Sequence, residues 1–148
     1  MTTEIGIDII QPLISERQIK KISNHSLKMD RWDSIVNESV EQSERLWRPE
    51  LYSFIDVNDW INSLNKNDFV SISVTRSDNT IGLREWISNK KIIRGKNFII
   101  WNVIGPEGGW SKNEIEKFRN LKMQFIKLSE NILRTSTAAI NAASVLAE

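Results

Sequence analysis

The chain contains no cysteine. That excludes a disulfide framework and a cysteine nucleophile, and it fits a reducing compartment. No apolar run approaches the roughly 18 residues that a membrane span needs. The first residues carry neither the basic flank nor the apolar stretch of a signal peptide. The chain is therefore expected to be cytoplasmic, with no membrane partner. Charge of one sign is missing too: 20 basic residues face 19 acidic ones, for a net charge of +1. Nucleic-acid binders usually carry a clear basic excess, so composition argues against tight RNA binding by this chain alone. Histidine is nearly absent. His25 is the single one; it lies in a polar Ser-Asn-His-Ser stretch outside every motif and is not taken as a general base. There is no internal repeat and no low-complexity segment.

What is present suits one globular domain. The 148 residues, 40% hydrophobic and 26% charged, suffice for a core without metal or disulfide staples. Residues 7–14 read as a short buried strand, broken near its end by Pro12. Residues 28–46 read as an amphipathic helix with Met29, Trp32, Ile35, Val36 and Val40 on one face. On its other side Glu41 and Arg45 are spaced to pair. Further helices are predicted over 57–64 and 82–88, and strands over 69–74 and 124–128. The strand 97–104 is rich in β-branched and aromatic residues, as expected of a strand covered on both faces. Strands alternating with helices predict an α/β domain with a mainly parallel sheet flanked by helices.

Strand 97–104 runs into Gly105-Pro106-Glu107-Gly108-Gly109-Trp110. Its glycines permit positive φ and close approach of backbone to a ligand. Ser111 and Glu114 then form an S-x-x-E capping box, so a helix starts there. Ile115, Phe118 and Leu121 supply its buried stripe. A glycine-rich loop between a buried strand and a helix is where α/β sheets bind ligands, although one such turn is equally compatible with no ligand. It is neither G-x-G-x-x-G nor a P-loop. A second segment follows strand 124–128: Ser129 to Thr137, then a helix of small and apolar residues, 136–147, with Thr135 or Ser136 available as its cap. A helix apolar on most sides is buried in the domain or in an oligomer interface.

Together the two segments are specific. Ile-Gly-Pro-Glu-Gly-Gly-Trp-Ser-x-x-Glu (104–114), followed by Leu-x-x-x-Ile-Leu-Arg-Thr-x-Thr-Ala (128–138), closely resembles the RsmE family. These are SPOUT-class methyltransferases acting on uridine N3 in small-subunit ribosomal RNA. Glu4-Ile5-Gly6-Ile7-Asp8 with Pro12-Leu13 and Ser15-Glu16-Arg17 is similar to the family's first motifs. So are Lys28 with Arg31-Trp32, and Glu41-Gln42-Ser43-x-Arg45 ending at Pro49-Glu50. The weakest stretch is about 54–96.

The resemblance implies a deep C-terminal trefoil knot, S-adenosylmethionine as cofactor, a homodimer, and ribosomal RNA of the small subunit as partner. Ile104, Gly105, Glu107, Gly108 and Gly109 would line one wall of the cofactor site. Leu128, Ser129, Ile132, Leu133, Arg134, Thr135 and Ala138 would supply another. Arg134 is the catalytic candidate, stabilising negative charge on the uracil oxygens. Arg17 and Arg45 are candidates for RNA phosphates. No metal is required, because a sulfonium already activates its methyl group.

The chain also departs from the family's pattern. It has Ser136 where Glu is usual, Ser129 for Gly, and Asn131 where Arg is frequent. Glu44 and Trp47 stand where Gly and Arg are usual, and Trp110 replaces Phe or Leu. Arg48, one residue on, would point about 100° away on a continuing helix. The match begins at the end of the family's first catalytic-domain helix. One catalytic domain is therefore expected over 1–148, without its first strand and without the family's N-terminal PUA-like RNA-binding domain. Two readings remain: a methyltransferase, or a knotted dimeric module that binds cofactor or RNA without turnover.

Overall fold

The computed structural model describes residues 1–18, 25–75, 77, 79–90 and 97–148. A short helix α1, Thr2–Ile5, ends at Gly6, whose φ of 115° is left-handed. Strands β1 (Ile9–Ile10) and β2 (Leu13–Ile14) follow. They replace the single strand expected over 7–14. Pro12 between them has no N–H for a ladder, and each half pairs elsewhere. Helix α2 spans His25–Gln42, so His25 lies in a helix, and it stacks on Phe54 at 4.9 Å. Then come β3 (Glu50–Leu51), β4 (Ile55–Asp56) and α3 (Val57–Ser63). Strand β1 pairs with β3 and β2 with β4, both parallel.

The main sheet follows: β5 (Phe69–Ser73), β6 (Ile81–Gly82), α4 (Leu83–Asn89), β7 (Ile100–Ile104), α5 (Lys112–Asn120), β8 (Gln124–Lys127) and α6 (Thr135–Leu146). Its strand order is β6-β8-β5-β7, and its described pairings are all parallel. The expected α/β class with a mainly parallel sheet flanked by helices is what forms.

Alternation along the strands sorts the core. On one face Ile72 and Val103 pack with Val57 and Trp60 of α3 and Phe118 of α5. On the other, Ile126 packs with Leu83 and Trp86 of α4 and Ala142 of α6. Successive strand residues point to opposite faces, so a strand covered by helices on both sides must be apolar at nearly every position. Polar exceptions in the sheet are satisfied. Ser71 Oγ donates to the Trp101 carbonyl at 3.2 Å, and Asn102 Nδ2 donates to Ser71 Oγ at 2.9 Å.

Helix α2 departs most from expectation. Of its proposed apolar face only Val36 is buried, joined by Ser39; Trp32 and Ile35 are exposed. It also stops at Gln42, so Glu41 and Arg45 do not form a helical pair. Arg45 Nη1 donates instead to the carbonyls of Thr3 at 2.7 Å and Ile7 at 3.1 Å. Arg48 lies beyond the helix and pairs with Asp33, so its direction does not follow from helical periodicity.

Candidate functional site

Parallel pairing puts the carboxyl ends of β7 and β8 on the same edge of the sheet, either side of β5. Two strand spacings separate them, about 10 Å. The two segments singled out in the sequence therefore leave the same sheet edge, the edge at which open α/β sheets take ligands.

The first segment is tightly built. Gly109 N donates to the Pro106 carbonyl at 2.8 Å, closing a turn over 106–109. Gly109 has φ 71°, a left-handed conformation that glycine adopts without steric cost. Ser111 caps α5 with the expected reciprocal pair: Ser111 N donates to Glu114 Oε2 at 2.8 Å and Glu114 N to Ser111 Oγ at 3.1 Å. Glu114 is only 2% exposed. Its other oxygen accepts from the backbone N–H of Glu16 at 3.0 Å. Next to it Arg17 donates to the Gly108 carbonyl. The Ser-Glu-Arg motif is thus folded against the glycine loop from far away in the chain.

The second segment begins with an ion pair of Lys127 with Glu130 at 2.7 Å and a turn in which Asn131 N donates to Ser129 Oγ at 3.1 Å. Arg134 is the N-cap of α6, in place of Thr135 or Ser136, and its side chain makes no capping bond. Its carbonyl accepts from Ala138 N at 2.8 Å. Arg134 is exposed.

A cavity of about 990 Å³ opens here and runs along the outer side of β7. It reaches the upper end of the size range of ligand pockets, about 300–1,000 Å³. Ile104, Gly105 and Thr135, all singled out above, share its wall with Pro106, Trp110 and Ala139. Arg45 also lines it, with its guanidinium turned to backbone carbonyls. Glu107, Gly108 and Gly109 lie on the exposed outer side of the loop. Leu128, Ser129, Ile132, Leu133, Arg134 and Ala138 are outside the lining. Leu128 packs on the α4–α6 cluster, Ala138 is buried, and Ile132 is 61% exposed. Among the described residues no group of His, Cys, Asp and Glu could hold a metal ion.

Sequence reasoning missed Pro106 and Ala139 as wall residues and the double use of Glu114. The signal for Glu114 was its place in the capping box, which explains one oxygen only. A backbone-rich loop with apolar neighbours suits a ligand with an adenine edge and an amino-acid part, so the residues present fit S-adenosylmethionine.

A family model described as an RNA methyltransferase domain matches residues 1–147. A ribosomal RNA small subunit methyltransferase E from Synechocystis is 31% identical over 136 residues, covering 92% of this chain and 43% of that protein. The protein of that name from Mesomycoplasma hyopneumoniae is 33% identical over 138 residues, covering 93% and 56%. Another, from Neisseria gonorrhoeae, was crystallised bound to S-adenosylmethionine. It superimposes with a TM-score of 0.79 at 28% identity, over 98% of this chain and 56% of that one. The chain spans about half the length of the curated relatives it matches.

Proposed function

The chain belongs to the RNA methyltransferase domain family, and from that premise we propose that it is the cofactor-binding, catalytic part of a methyltransferase acting on uridine N3 of small-subunit ribosomal RNA. The observation that carries this reading is the convergence of Ile104, Gly105 and Thr135 on one cavity at the carboxyl edge of a parallel sheet. When bound, S-adenosylmethionine supplies an activated methyl group. The chain's own residues hold and orient it. Ile104, Thr135, Ala139 and the backbone at Gly105 and Pro106 form the wall. Rate then comes chiefly from orientation.

Arg134 is the residue we assign to the negative charge that develops on uracil when N3 loses its proton. Its guanidinium is exposed at the mouth of α6 and makes no ion pair among the described residues. Arg17, exposed and fixed to the glycine loop through Gly108, is the residue we assign to an RNA phosphate. The same contact by Arg45 requires it to give up two carbonyl partners, so Arg17 is the stronger of the two.

The domain reading has geometric support as well. Phe69 N donates to the Ile99 carbonyl, which turns Ile99 toward β5. By alternation Ile100, Asn102 and Ile104 aim their backbone groups the other way. The Asp8 and Ile10 carbonyls accept from Glu50 and Tyr52 on the β3 side, which leaves Ile9 facing away from β3. Ile9, Ile100, Asn102 and Ile104 all line the cavity. A further strand, which the family resemblance implies, would run along the stretch of the cavity beside Ile100 and Asn102, away from the Gly105 end assigned to the cofactor.

Calorimetry with S-adenosylmethionine and S-adenosylhomocysteine tests the reading. Saturable binding is expected. Folded protein that gives no heat at millimolar ligand overturns it.

A further inference from the structure

The glycine loop closes around its own tryptophan. A Cβ built on Gly105 would lie 2.9 Å from Trp110 Nε1 and 3.0 Å from Cε2, too close to stand unless something shifts. Gly105 has no positive φ, so position 105 does not call on glycine's backbone freedom. It requires room, and the indole has taken that room. The ring has little freedom to yield. Its Nε1 donates to the Ser73 carbonyl at 3.4 Å. Its plane stands edge-on to Phe118, at 5.2 Å and 83°. The residue is 9% exposed, within the cluster that holds Ile72 and Val103. Gly105 and Trp110 both line the cavity at the end of β7.

We propose that Trp110 is a positioning residue for the cofactor: its indole occupies the space of a side chain at 105 and so sets the height of the Ile104–Pro106 backbone at the cavity wall. This rests on the S-adenosylmethionine reading above. Trp110 acts through the loop and need not touch the cofactor. The choice of residues at 105 and 110 is therefore coupled. A larger ring at 110 demands glycine at 105, and a smaller side chain at 110 releases that demand. The ring atoms nearest the added Cβ are Nε1 and Cε2, which leucine lacks, so Trp110→Leu removes the obstruction.

The test is a double-mutant cycle on cofactor binding, with S-adenosylhomocysteine as the calorimetric probe. Gly105→Ala in the parent is expected to weaken binding about tenfold or more, as overpacking displaces the loop. Trp110→Leu alone should weaken it severalfold, because the loop loses its support. Adding Gly105→Ala to Trp110→Leu should then cost less than a factor of about two, the coupling expected of residues in contact. Circular dichroism confirms that each variant is folded. Trp110→Met, unbranched and adaptable, replaces the leucine variant should that one fail to fold. An equal penalty for Gly105→Ala in both backgrounds overturns the proposal while leaving the cofactor reading intact. No binding by the folded parent overturns the cofactor reading first, and the positioning role with it.

Discussion

Glu44 occupies a position that suits a different residue. Its φ is 54°, in the left-handed region that costs a side-chain-bearing residue roughly 1–2 kcal/mol. The cause is the end of α2. Glu44 N donates to the Glu41 carbonyl at 3.3 Å and Arg45 N to the Val40 carbonyl at 3.2 Å, the paired bonds of a Schellman cap whose left-handed residue is usually glycine. The related family has glycine there, and the sequence marked Glu44 as a departure without saying what it costs. Glu44→Gly is expected to stabilise the protein by about 1 kcal/mol, read as a higher urea midpoint at unchanged slope. An unchanged or lower midpoint would show that the Glu44 side chain compensates for its backbone. Trp47 and Ser136 stand at other departures. Both are exposed, and nothing in the structure explains the substitution at either.

Helix α5 is the element on which the site depends, because its first turn joins three segments. Ser111 caps it, Glu114 closes the cap, and the same carboxylate receives Glu16 from the Ser-Glu-Arg motif. Two backbone donors converge on one acceptor-only group. Glu114→Gln keeps the size but turns one acceptor into a donor, so one buried N–H must face an N–H. The expected cost is about 1–3 kcal/mol, with faster amide exchange at Glu16 or Ser111. Hydrogen exchange followed by mass spectrometry checks it, and unchanged protection across 14–18 and 110–114 contradicts the assignment. Helix α6 tells the opposite story. It was expected to be apolar around most of its circumference, yet Ser136, Thr137, Asn141 and Ser144 are exposed and its buried side is Ala138, Ala142 and Ala143. Its small residues let it lie close to the sheet and to α1. Several of the exposed large apolar side chains lie on α2 and the turn after it: Leu27, Trp32, Ile35, Leu46 and Trp47.

At the scale of the molecule, two features await a partner. One is the space beside β7. If a strand fills it, a longer version that carries the corresponding segment of a relative should protect the amides of Ile100, Asn102 and Ile104 against exchange. Equal protection with and without the extension would rule the strand out. The other is the exposed apolar patch on α2. We expect a homodimer, and α2 now supplies the better surface for it than the outer side of α6. Sedimentation should give a species of about twice the 17.1 kDa of the chain at tens of micromolar, and Trp32→Glu should shift it toward the monomer. A lone 17.1 kDa species for the parent would dismiss the dimer. Near-neutral charge, with a net of +1, predicts weak RNA affinity, since phosphate contacts dominate binding.

The sequence by itself determined the class of the fold, the place of the glycine loop and the start of α5. Those rest on short-range chemistry: alternating buried strands, a glycine needed for a left-handed turn, a serine and a glutamate three residues apart. It also carried the ordered motifs that point to the family. It misplaced the end of α2 and its buried face, because periodicity records which residues could be buried and not whether a neighbour arrives to cover them. Only the tertiary structure decided that Arg45 serves two backbone carbonyls, that Glu114 binds a segment almost a hundred residues away, and that Trp110 fills the space above Gly105. The first two join segments distant in the chain, and the third depends on Ser73 and Phe118 to hold the indole over its own loop; all three are set by packing of the whole chain. No local pattern encodes it.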